Sequence, residues 1–206
     1  MQKKTIFGIL FISCSCVGLF VSLLFYISYD PSFRPWTHLF CDLGSGPLNA
    51  IIPLGIGLGL TAIFLGFLFI EIFKDLKKNN EHKTLINLYL TSGIIASITL
   101  LILGIFPLNS SMPVSYQIHT FTSIIYWATF GLSFICLGIL EFSHSKFPSI
   151  LIILGGISAI FFSVGFPLQE FGAISENIIV YLSMWTPFLL VVLWIVIKML
   201  KKWEKS

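Results

Sequence analysis

Five stretches of this chain contain no Asp, Glu, Lys or Arg: residues 5–29, 43–70, 84–140, 147–169 and 177–197. A helix needs about 20 mostly apolar residues to cross about 30 Å of hydrocarbon, so four of the stretches hold one crossing each. The third is far too long for one crossing and holds two, divided by the polar, proline-bearing connector from Pro107 to Gln117. With 56% hydrophobic and 10% charged residues in 206, the chain has too little polar surface to close around a soluble core; an average soluble domain carries about 25% charged residues. Lipid takes the place of the missing interior. The expected fold is an all-α integral membrane bundle of six helices, roughly 5–28, 48–73, 85–106, 119–141, 149–167 and 177–200, in one domain spanning 1–206.

The cations give this bundle a direction. Lys3 and Lys4 precede the first run; Lys74, Lys77, Lys78 and Lys83 follow the second; Lys146 follows the fourth; Lys198, Lys201, Lys202 and Lys205 follow the sixth. Only Arg34 lies in a loop of the other side. Short loops rich in Lys and Arg stay in the cytoplasm, which places both termini inside and makes this a multi-pass protein of the cell membrane. The net charge of +3 would then face anionic headgroups. Membrane lipids are the expected partners and a protein partner stays open. No basic-aromatic patch of the nucleic-acid-binding kind appears, so nucleic acid is not expected. The first run begins like a signal peptide, but hydrophobicity continues past Cys14 to Ile27 without a small-residue cleavage site, which reads as an anchored helix. Cys14, Cys16, Cys41 and Cys136 form no C-x-x-C pair, so neither a cysteine metal site nor a disulfide framework is expected.

Phe106-Pro107-Leu108-Asn109 closes the third run and Phe166-Pro167-Leu168-Gln169 the fifth, a weak repeat consistent with three out-and-back hairpins packed together. The alternative is that an aromatic followed by a proline simply ends a helix at an interface. Gly55, Gly59 and Gly66 share a face of the second helix, which marks it as the central, closely packed helix if they serve helix contact rather than reflect the general frequency of glycine in membranes.

No ionisable carboxylate or amine falls in the middle of any span, where one would mark an ion or proton path. Polar chemistry gathers instead at the outer mouth: His38, Asp42, Asn49, Asn109, His119, Glu170 and Glu176. His38 and Asp42, four apart, share a face if their loop coils. His119 opens the fourth helix and Glu176 the sixth. His and Asp at such a mouth suit general acid–base chemistry on an ester or phosphate near the headgroups, or a zinc ion with an open position. No compact ligand motif supports the metal, so none is assigned and the cofactor is left unknown. The plainer reading is capping: Asp42 and Ser45 at the second helix, Glu176 on the dipole of the sixth. At the inner mouth, Glu71, Asp75, Glu81 and His82 mingle with lysines and read as a solvated loop. Tyr26 outside and Trp194 inside read as interface aromatics.

The run from Trp36 to Gly44, with Asp42 near its end and Asn49 after it, resembles a motif of an uncharacterised archaeal and bacterial membrane family, domain of unknown function 998. Gly104-Ile-Phe-Pro107 followed by His119, and Glu176 followed by Leu182 to Pro187 and Trp194, resemble its later elements. Cys41 stands where that family has Ser before Asp. The resemblance implies a six- or seven-helix bundle and supplies no activity. Three functions follow as expectations. The first is a lipid- or headgroup-binding pocket at the outer face, in a hydrolytic version with His119 as base, Asp42 as its partner, Glu176 as second acid, and Asn49, His38 and Asn109 binding substrate. The others are a non-enzymatic scaffold for a partner's membrane helices, and a carrier for a small uncharged solute.

Overall fold

The computed structural model describes residues 3–34, 38, 40–79, 82–108, 113–170, 172–173 and 178–203. Six long helices account for nearly all of them: α1 (Lys3–Tyr29), α2 (Leu48–Asn79), α3 (Lys83–Ile105), α4 (Pro113–Glu141), α5 (Lys146–Glu170) and α6 (Ile178–Trp203). A short 3-10 helix, Phe40–Ser45, lies between α1 and α2. Each of the six is long and apolar enough to cross a membrane. Large apolar side chains such as Phe20, Ile56, Ile98, Phe121, Phe161 and Leu189 are exposed along their outer faces, where water would penalise them and lipid would not. This is a multi-pass membrane protein built as a six-helix bundle.

Successive helices pack on one another in chain order, and α4 lies against α5 at least as extensively as against α3. The hairpins are therefore not separate bodies but parts of one serpentine. Helices α1 and α6 touch only lightly, and α1 is the least buried of the six. Because six helices alternate in direction, Lys4, Lys74, Lys83, Lys146 and Lys198 all lie at the end that carries the termini, and Arg34 lies at the far end.

Glycines set the closest approaches. A Cβ on Gly18 of α1 would sit 2.6 Å from the Cα of Gly57 on α2, and one on Gly131 of α4 would sit 2.5 Å from the Gly156 carbonyl of α5. In α2, Gly57 meets α1 while Gly55, Gly59 and Gly66 meet α3, so the helix is closely packed on two sides.

Several boundaries differ from the sequence expectation. Helix α4 begins at Pro113, inside the expected connector, because proline fits the first helical position, where its missing N–H is not needed. His119 therefore does not open the helix; it lies nearly two turns inside it. The two Phe-Pro pairs behave differently. Phe106 leaves the helix, at φ −108 and ψ 93, as a residue before proline tends to. Phe166 stays helical, and α5 runs through Pro167 to Glu170. Tyr26 and Trp194, expected as interface aromatics, are buried within the protein, Tyr26 against Phe33 and Trp194 edge-on to Phe134.

An aromatic layer crosses the middle of the bundle. Phe134 packs with its ring centroid 4.6 Å from Phe130 toward the far end and 6.2 Å from Trp194 toward the termini. A cavity lies on either side of it.

Candidate functional site

The cavity toward the far end is a chamber of about 100 Å³. Its walls come from α1 (Phe11, Ser15, Leu19), α2 (from Ile51 to Thr61), α3 (Leu100, Leu103, Gly104), α4 (His119, Ser123, Tyr126, Trp127, Phe130) and α6 (Met184, Phe188, Val191), with Gly44 and Pro107 at its mouth. From His119 to Phe130 it follows α4 for about 16 Å, half the thickness of a hydrocarbon core. No wall residue is a carboxylate, lysine or arginine, and His119 contributes an imidazole.

That imidazole is held by the broken end of α3. The last four carbonyls of a helix have no partner within it, and Pro107 forces Phe106 out of helical geometry. The Phe106 carbonyl instead accepts from Nδ1 of His119 at 2.6 Å. One turn earlier, the Ser115 hydroxyl donates to the Pro107 carbonyl at 2.9 Å. Gly44 lets the 3-10 helix approach the same corner, since a Cβ there would lie 3.1 Å from the Leu108 amide nitrogen. A carbonyl can only accept, so Nδ1 carries the proton and, in the neutral ring, Nε2 offers a lone pair. His119 is 5% exposed, and Nε2 has no hydrogen-bond partner.

Serine and threonine hydroxyls elsewhere in the bundle are mostly satisfied by their own helix, as with Ser92, Ser97, Thr99, Thr129 and Ser133. In the chamber, Thr61 donates to the Gly57 carbonyl, and Ser15 pairs with both Phe11 and Thr61. Ser123 differs, as do Ser22 and Thr120 outside the chamber: it is 1% exposed and its hydroxyl has no partner. His119 and Ser123 are four apart on one helix, so they share a face. Their unpaired atoms are not hydrogen-bonded to each other.

The other expected site residues are placed as follows. Asp42 is half-buried in the 3-10 helix, where its carbonyl accepts from Ser45. Nδ1 of His119 bonds to the Phe106 carbonyl. His38 precedes the 3-10 helix, packs tilted against Phe33 with ring centroids 4.9 Å apart, accepts from the Arg34 amide at Nδ1, and receives the Trp185 indole N–H on its carbonyl. Asn49 is exposed in the first turn of α2 and does not line the chamber. Asn109 and Glu176 lie outside the described residues. Among the described residues no three His, Cys, Asp or Glu side chains converge as metal ligands. Ser123, Ser15 and Thr61 were not anticipated. The spacing of Ser123 from His119 was a legible signal for the first of these; nothing in the sequence pointed to the other two.

No family model, curated protein or solved structure matches this chain.

Proposed function

We propose that this protein binds an uncharged, hydroxyl-bearing lipid in the His119 chamber, within the cell membrane and from the leaflet at the far end. One observation carries the reading: a buried imidazole with one nitrogen latched to the backbone and the other unpaired lines an otherwise apolar cavity, one turn from an unpaired serine. Leaving two such groups unpaired costs roughly 2–6 kcal/mol together. A single ligand hydroxyl relieves both, because it donates to Nε2 and accepts from Ser123. An ionised headgroup has no counter-charge on these walls and would pay for desolvation without compensation. The volume, about that of a few waters, takes the polar end and first carbons of one chain rather than a whole lipid.

The test uses protein in lipid nanodiscs, a monoacylglycerol or fatty-alcohol probe, and the matching methyl ether. The alcohol should be retained about tenfold better than the ether, and His119→Asn should remove that preference. Asparagine keeps a donor near the position of Nδ1 for the Phe106 carbonyl but loses the acceptor at Nε2. Equal retention of alcohol and ether would sink the reading. A hydrolytic version has Nε2 as base toward a bound water, and its sign would be release of fatty acid that the His119→Asn variant abolishes. Membership of domain of unknown function 998 is also proposed, on the motifs around Asp42, Pro107 and His119.

A further inference from the structure

The second cavity, on the termini side of the aromatic layer, is larger, about 470 Å³, and of opposite character. Lys4 of α1, Asp75 of α2, Glu141 of α4 and Lys198 of α6 line it, with His144 at its edge. Lys4 pairs with Asp75, and Lys198 Nζ lies 2.8 Å from Glu141 Oε2. That second contact is close enough for an ion pair but lacks hydrogen-bond alignment, and Oε2 is buried without a hydrogen-bonding partner. Trp194 also lines the cavity; it is 4% exposed and its indole N–H is unpaired. The remaining wall is Thr5 and Gly8 of α1 with leucine, isoleucine and methionine from α2, α4 and α6. Both α1 and α6 contribute; these helices touch only lightly, and Gly8 lies against Ile195 in the cavity wall.

We infer that this cavity binds the zwitterionic phosphoethanolamine headgroup of a lipid, independently of what occupies the His119 chamber. Two ammonium groups and two carboxylates balance, so the walls favour neither a net anion nor a net cation but do favour a dipole. A phosphate takes the lysines and the Trp194 N–H; a primary ammonium, with three donors, takes the carboxylates, including the unaligned Glu141 oxygen. Two ion pairs alone would need neither this volume nor an unpaired indole. The apolar part of the wall suits the first carbons of a lipid tail.

The experiment is native mass spectrometry of the whole protein released from nanodiscs holding equal phosphatidylethanolamine, phosphatidylglycerol and phosphatidylcholine. Phosphatidylethanolamine should be retained about tenfold over both others, since phosphatidylglycerol lacks the amine and phosphatidylcholine lacks its N–H donors. Soluble glycerophosphoethanolamine should displace it. Trp194→Phe, which keeps the ring, should lower retention about tenfold, the effect of one charge-assisted hydrogen bond. The double exchange Glu141→Lys with Lys198→Glu keeps an ion pair, so it should preserve the unfolding transition while abolishing the lipid preference. Equal retention of the three lipids, full retention by Trp194→Phe, or a preference that survives the exchange would each overturn the inference.

Discussion

The two cavities handle polar groups inside a membrane bundle in opposite ways. In the His119 chamber they are uncharged and two are unpaired; in the lysine-lined cavity they are charged and mostly paired. Depth explains the difference. The chamber reaches the middle of the bundle, where an ionised group costs several kcal/mol. The charged cavity lies at helix ends, where lysine stems reach toward headgroups and water. A neutral unpaired group is the form in which recognition can be stored deep in hydrocarbon, while ion pairs are affordable only near its edge.

That contrast is open to attack by substitution, using equilibrium unfolding in mixed micelles as the readout. His119→Phe should have the largest effect, a loss of about 2 kcal/mol, because it strands the Phe106 carbonyl at the α3–α4 corner. His119→Asn should recover most of it, and equal losses in the two variants would mean that the latch is not what stabilises the corner. Next, polar deletions in the two cavities should differ in sign. Ser123→Ala removes an unpaired hydroxyl and should stabilise the empty protein by up to about 1 kcal/mol. Glu141→Gln leaves Lys198 without its counter-ion and should destabilise by about 1–2 kcal/mol, less than a fully buried pair because both side chains are partly exposed. If both changes destabilised, the chamber would not be a site holding strain for a ligand. Smallest of all, Lys4→Ala should cost under about 0.5 kcal/mol and the difference should shrink in salt, since the Lys4 and Asp75 side chains are 41% and 47% exposed. A larger, salt-insensitive loss would mean that the charged cavity is drier than its exposure suggests.

The number of helices and their alternation were legible because a bilayer admits few solutions for long charge-free runs. The close packing of α2 was legible in Gly55, Gly59 and Gly66, which do meet α3. The site was legible only in part. His119 stood out as an ionisable residue beside an apolar span, but its place inside α4 depended on Pro113 starting a helix rather than a loop. The partner of His119 Nδ1 was not legible, because it is a backbone carbonyl rather than a side chain. The two Phe-Pro pairs show why: identical tripeptides end α3 and continue in α5, so the freed carbonyl that orients His119 exists at one and not at the other.

Composition and spacing alone determined that this chain is a six-helix membrane bundle with its lysines gathered at the end that carries the termini. Those properties depend on matching apolar length to bilayer thickness, which is local and additive along the chain. Tertiary structure decided which polar atoms meet: that Phe106 accepts from His119, that Ser123 is left unpaired, and that Lys4, Glu141 and Lys198 face one cavity. Such meetings depend on helix rotation and on close crossings such as Gly18 with Gly57, which no single segment specifies.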